Sequence, residues 1–188
     1  VITDSQGRTR NRDLVIMRLD GVDNGEQKFY VYFEDPSDVK GMTYLVWKKV
    51  GADDDRWLYL PALDLIRRVA ATDKRSSFAG THFAYEDISG RGPEEDDHEL
   101  LGEEDDKYKI KSVPKDPGNV EFSYFVTWVD KNNYLPVKAE MYDKNGKLYK
   151  VLEAVEITDI QGYPTVTTMK ATDLNSNGNT VSIFTDVE

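Results

Sequence analysis

The chain has 188 residues, with 35 acids against 24 bases, a net charge of −11, 39% hydrophobic residues and no cysteine. That length suits one domain burying roughly 70% of its unfolded surface, and 11 Tyr, 7 Phe and 3 Trp are too many aromatics for a disordered chain. The acidity argues against nucleic acid as a partner, the lack of cysteine removes disulfide and thiolate chemistry, and no apolar run reaches the ~18 residues of a membrane-spanning helix.

The chain begins at Val1 rather than Met and leads directly into a strand, so the lack of a signal peptide says little about compartment. Period-two runs then dominate. They cover 13–19, 28–34, 42–50, 56–63, 107–113, 121–129, 135–143, 147–157, 164–173 and 179–187, and β-branched and aromatic residues fill them. Turn sequences join them: "DNG" at 23–25, "DKNN" at 130–133, "DKNG" at 143–146, "QG" at 161–162 and "NSNGN" at 175–179. Strands joined by short turns predict an antiparallel meander. One segment, 81–89 between Gly80 and Gly90, reads as a short helix with a glycine C-cap or as an ordered loop. The stretch 92–106 is expected to be a solvated, mobile loop because of its charge.

Several strands are apolar on both faces. In "FYVYF", Phe29, Val31 and Phe33 oppose Tyr30 and Tyr32; in "YLVW", Tyr44 and Val46 oppose Leu45 and Trp47; in "WLYL", Trp57 and Tyr59 oppose Leu58 and Leu60. Such strands cover apolar surface on both sides. A packed second layer explains this, and so does a curved sheet whose inner face lines a ligand cavity; periodicity leaves both open. The run "VKAEM" alternates cleanly, which places Val137, Ala139 and Met141 inward and Lys138 and Glu140 in water. Leu45 and Trp47 are taken as the inward pair of their strand. Trp57 and Tyr59 suit a wet rim, because each carries a polar group that needs a partner, and Leu58 and Leu60 suit drier surroundings.

Reactive motifs are sparse. His82 and His98 have no companion at metal-ligand spacing, so no metal site is expected. "SSFAG" lacks the leading Gly-x-Ser of a nucleophile elbow. "DLNSNGN" imitates half a calcium loop, but the twelfth position is Phe184 where a bidentate Glu is required, and it falls between two strands, so it reads as a hairpin. With 35 acids, some close carboxylate pair is expected by chance and none is singled out.

A resemblance is carried by "RWLYLPALDLIRRV" (56–69) followed by "SSFAGTHFAYEDIS" (76–89) and, downstream, "YLPVKAEMYDKNGKLYKVLE" (134–153). These resemble the outer-membrane lipoprotein-sorting, LolA-like family associated with transporters of the resistance-nodulation-division type. Trp57, Leu58, Tyr59, Leu60, Pro61, Arg67, Arg68, Ser77, Phe78, Gly80, Phe83, Tyr85, Glu86 and Asp87 carry the match, and His82 departs from the acidic residue expected there. The resemblance implies a mainly β fold with little helix, an incurved antiparallel sheet forming a half-open barrel. It implies that residues 1–188 are a single LolA-like β domain, lacking the N-terminal signal and first helix and the last C-terminal segment. It implies a periplasmic, non-enzymatic carrier without cofactor that holds lipid or lipoprotein acyl chains in a hydrophobic cavity. The expected lining is Leu45, Trp47, Trp57, Leu58, Tyr59, Leu60, Phe78, Phe83, Tyr85, Val137 and Met141, with Arg67 and Arg68 meeting a headgroup or an inner-membrane transporter. A non-carrying periplasmic adaptor of an envelope transporter is the alternative, with an envelope hydrolase behind both.

Overall fold

The computed structural model describes residues 1–187 apart from 22–24, 71, 72, 74 and the side chain of Asn119. Strands hold 57% of the residues and helices 8%, so the chain is mainly β, and its antiparallel sheets do not close into a barrel. The chain divides into two compact units, Arg10–Gly90 and Val1–Thr9 with Arg91–Glu188. Two short strands, β1 (Ile2–Thr3) and β2 (Thr9–Arg10), open the chain and belong to the sheet of the second unit.

The first unit is a five-stranded sheet in chain order: β3 (Asp13–Asp20), β4 (Gln27–Asp35), β5 (Thr43–Lys48), β6 (Asp55–Leu60) and β7 (Leu65–Arg68). The first four are the β-branched and aromatic runs of the sequence, and Asp23 and Asn24 of the expected first turn lie outside the described residues. The run expected over 56–63 ends at Leu60. Pro61 has no N–H for a ladder and starts a single 3₁₀ turn, Pro61–Leu63, after which Asp64 at φ 45° reverses the chain into β7. A further helix, α1, covers only Tyr85–Ser89 of the expected 81–89. Thr81–Phe83 form a loop instead, with Phe78 N donating to Phe83 O at 2.8 Å and Thr81 N to Phe78 O at 2.9 Å. The Asp87 carboxylate accepts from Ala84 N at 2.6 Å and so caps α1 at its start.

The second unit is a nine-stranded sheet in the order β2-β1-β14-β13-β12-β11-β10-β9-β8. Its later strands are β8 (Asp96–Glu104), β9 (Lys107–Pro114), β10 (Phe122–Asp130), β11 (Pro136–Asp143), β12 (Leu148–Ile160), β13 (Tyr163–Asp173) and β14 (Gly178–Ile183). The β13–β14 connection is the hairpin read from "DLNSNGN", with the Asp173 carboxylate accepting from Asn175 N at 2.8 Å and Ser176 N at 3.0 Å. The expected loop at 92–106 is corrected. Its acids form the edge strand β8, whose solvated side tolerates charge and whose partner supplies lysines, as in Glu99↔Lys111 and Glu104↔Lys107. The strands also fall into two sheets rather than one meander, because alternation within a strand carries no record of which distant strands pair.

Candidate functional site

The five-stranded sheet has two unlike faces. On one, cross-strand rows run Ile16–Val31–Tyr44–Leu58–Arg67 and Arg18–Phe29–Val46–Arg56. Phe29, Val31, Phe33, Tyr44, Val46 and Leu58 are buried there beneath Val69, Phe78 and Tyr85 in one core cluster. The segment from Ser77 to α1 supplies the cover: Phe78 lies 5.5 Å from Phe33 and 5.4 Å from Tyr44, and Tyr85 lies 4.9 Å from Tyr44, ring centroid to ring centroid. Ala79 at φ 49° and Gly80 at φ 75° turn the chain back after Phe78. At the polar end of this face the buried Arg56 pairs with Asp54 at 2.6 Å. Burial pushes the Tyr44 hydroxyl far above its ordinary range, against the pull of the nearby Arg56 guanidinium.

Among the described residues the other face carries no such buried core. Its rows run Met17–Tyr30–Leu45–Trp57–Arg68 and Val15–Tyr32–Thr43–Tyr59–Ile66. Leu45 keeps 37% of its surface in solvent, Met17 54% and Ile66 70%, and Val15, Tyr30 and Tyr32 are exposed as well. Polar groups fringe the patch. Trp47 donates from Nε1 to Glu26 at 2.8 Å beneath Lys28, whose Nζ sits 4.4 Å from the ring centroid. The Tyr59 hydroxyl donates to Asp64 at 3.1 Å, and that hydrogen bond raises it above the usual tyrosine range. Asp55 accepts from both Lys49 and Arg68, and these bonds, with the Lys49 one dominant, hold its carboxyl below the usual range.

The expected lining is therefore divided. Leu45, Trp47, Trp57 and Tyr59 lie on the open face. Leu58, Phe78 and Tyr85 lie in the closed core, Leu60 packs against it, and Phe83 is buried in the covering loop. One surface cannot hold both groups, because they sit on opposite sides of a single sheet. The inward pair of β5, in the sense of the core, is Tyr44 and Val46 rather than Leu45 and Trp47. Arg67 and Arg68 also project to opposite faces, in the rows of Leu58 and Trp57, and Arg68 is tied to Asp55. Val15, Met17, Tyr30 and Tyr32 belong to the open face. The signal of Tyr30 and Tyr32 was present in the doubly apolar "FYVYF", but which side stays open is fixed by where Phe78 and Tyr85 land.

The nine-stranded sheet places Val137 and Met141 apart as well. Met141 stands in the row Ser112–Phe125–Met141 and Ala139 in the row Ile110–Thr127–Ala139–Leu152, all but Ser112 half-buried. Lys138 pairs with Trp128 and Pro136 with Val129, and this register shift leaves Val137 outside the alternation. Val137 lines a shallow hollow of about 210 Å³ with Glu104, Asp105, Lys107, Trp128 and Lys138. Lys109 and Lys138 lie 4.8 Å and 4.6 Å from the Trp128 ring centroid, so that face is a polar, cation-covered one. His98 does not sit in a loop. Its ring joins Ser112 Oγ at 2.8 Å and Pro93 O at 2.7 Å. Among the described residues no group of three or more His, Asp or Glu is placed to hold a metal ion.

Comparison with known structures gives the class to which these open antiparallel sheets belong. Over its whole length the chain is 29% identical to an outer membrane lipoprotein-sorting protein domain from Vibrio parahaemolyticus, spanning 83% of that chain with a TM-score of 0.84. A LolA superfamily protein from Nitrosomonas europaea, 22% identical over 86% of this chain and 74% of its own, shares the fold with a TM-score of 0.63. A family model described as "uncharacterized protein" matches residues 25–188, and no curated protein matches. A DUF1329 family protein from Desulfovibrio piger is 31% identical over the whole of this chain and 83% of its own, with a TM-score of 0.87. The chain belongs to the DUF1329 family and shares the fold of the LolA superfamily protein.

Proposed function

We propose that this protein is a periplasmic, non-enzymatic carrier that takes up lipid or lipoprotein acyl chains along the open face of the five-stranded sheet. The observation that carries the reading is the patch of Met17, Tyr30, Leu45, Val15 and Ile66, exposed around the half-buried Trp57 although the other face of the same sheet has a closed core. The lipoprotein-sorting domain that the chain resembles over its full length supports it. An acyl chain has no hydrogen-bonding group along its length and asks only for apolar area, so fringing polar groups such as Glu26 and Asp64 are free to stay solvated. Each methylene removed from water contributes about 0.8 kcal/mol, and the roughly 4–15 kcal/mol cost of association offsets much of a ten-methylene contact. Such binding is reversible, as delivery requires. In this reading residues 1–188 act as one carrier domain. No helix among the described residues is long and apolar enough to cross a membrane.

A second reading has an observation of its own. The face is an exposed apolar sheet surface, which suits a protein partner too, so an adaptor that docks an inner-membrane transporter stands behind the carrier. Mass spectrometry of organic extracts from the purified protein separates them: the carrier releases lipid in near-stoichiometric amount, whereas lipid-free protein that takes none up from added vesicles overturns the carrier reading and leaves the adaptor.

A further inference from the structure

The open face of the five-stranded sheet ends in charge, and its two ends differ in sign. Next to the row of Tyr30 and Leu45 comes the row Leu19–Lys28–Trp47–Asp55. Trp47 gathers two ammonium groups, with Lys28 Nζ 4.4 Å and Lys49 Nζ 5.6 Å from its ring centroid. Lys49 Nζ also lies 2.5 Å from one Asp55 oxygen, and the other oxygen takes Arg68. Three cations thus surround one indole and one carboxylate, and Glu26 on the indole N–H is the second acid. This end is net positive in a chain whose net charge is −11. Six residues further along β4, roughly 20 Å away, Glu34 stands on the same face by alternation. The other acid of that end, Asp64, lies across β5 from Glu34 and already accepts from the Tyr59 hydroxyl. The cations are gathered, whereas those two acids are apart.

The gathered end has donors to spare. Asp55 engages one nitrogen of Arg68, a side chain 66% exposed that carries five N–H groups, and one ammonium, that of Lys49. Lys28 is exposed and has no carboxylate partner among the described residues. Ammonium groups drawn to one ring repel each other, and an anion placed among them relieves that repulsion while accepting the spare N–H groups. We propose that the amphiphile carried on the open face has an anionic head, a carboxylate or a phosphate, held by Lys28, Lys49 and Arg68 around Trp47. Its acyl chain then runs from Trp47 over Leu45 and Tyr30 towards the acidic end. This rests on the carrier reading and adds to it a class of head and a direction for the chain. Arg67 projects to the covered face and takes no part.

The test uses the full chain loaded with a neutral fluorescent probe, N-phenyl-1-naphthylamine. The probe is displaced by three amphiphiles of one chain length: dodecanoate, dodecyl phosphate and dodecyltrimethylammonium. At low salt at least one of the two anions should displace the probe at about fivefold lower concentration than the cation, and the stronger anion names the head. Sodium chloride at about 1 M, where the Debye length is roughly 3 Å, should erase that preference and leave probe binding in place. Lys28→Glu turns the cluster from net positive to net negative at an exposed position. It should abolish the preference with probe affinity and urea midpoint unchanged, and Glu34→Gln should leave the preference as it is. A parent that binds the probe but releases it equally to anions and cation, or more readily to the cation, overturns the anionic head and leaves the carrier reading standing. So does a preference that survives Lys28→Glu. A parent that binds no probe overturns the carrier reading, and this inference with it.

Discussion

The two faces of the five-stranded sheet are built from nearly the same residue types and meet opposite fates. Phe29, Val31, Tyr44 and Leu58 disappear under Phe78 and Tyr85, while Tyr30 and Leu45, one residue along in the same strands, remain in water and Trp57 is only half-buried. The difference lies in which face the segment after β7 crosses, since both faces are apolar in the sequence. A sheet stabilised from one side can leave an apolar surface on the other without losing its fold, and that division separates residues that hold the structure from residues available to a ligand.

The division is broken most severely from the covered side. Phe33→Ala removes a fully buried ring that packs on Phe78 and should cost about 3–5 kcal/mol, read as a lower midpoint in urea unfolding. Arg56→Met should cost about 3 kcal/mol by leaving the mostly buried Asp54 carboxylate unpaired, again read by urea unfolding. A substitution on the open face should spare the fold and strike binding instead.

A smaller effect sharpens the contrast with the nine-stranded unit, where polar and charged side chains surround Trp128 on one face. Tyr142 stacks on Tyr124 at 4.5 Å and donates to Glu140 at 2.7 Å; that bond, with burial second, pushes its hydroxyl up to about 12. A hydroxyl raised in the folded state stabilises fully below its unfolded value near 10, and the contribution fades as pH climbs from about 10 to about 12. Because Tyr142 is largely solvent-screened, the effect should stay below about 1 kcal/mol. Urea midpoints compared at pH 9 and pH 12 should show this part of the alkaline loss in the parent and not in Tyr142→Phe.

Much of this fold was legible in the sequence. The runs at 13–19, 28–34 and 164–173 became β3, β4 and β13 nearly residue for residue, because alternation of β-branched and aromatic side chains reports the local pleat directly. β8 was hidden because its acids are balanced by lysines of β9, a cross-strand fact invisible along one strand. β7 was hidden because four residues, two of them arginine, show no period. The candidate site was half legible: "FYVYF", "YLVW" and "WLYL" announce two apolar faces, yet the long-range packing of Phe78 and Tyr85 decides which one closes.

The central claim is that the open face binds an apolar chain, and a titration with a fluorescent fatty-acid probe tests it most directly. Leu45 lies mid-row between Tyr30 and Trp57, so Leu45→Asp places a charge against the bound chain while its partial exposure limits the cost to folding to about 1 kcal/mol. The account predicts saturable binding to the parent protein, at least tenfold weaker binding to Leu45→Asp at a nearly unchanged urea midpoint, and unaltered binding to Lys138→Asp on the polar face of the other sheet. Equal binding by all three folded proteins, or none by the parent, would contradict it.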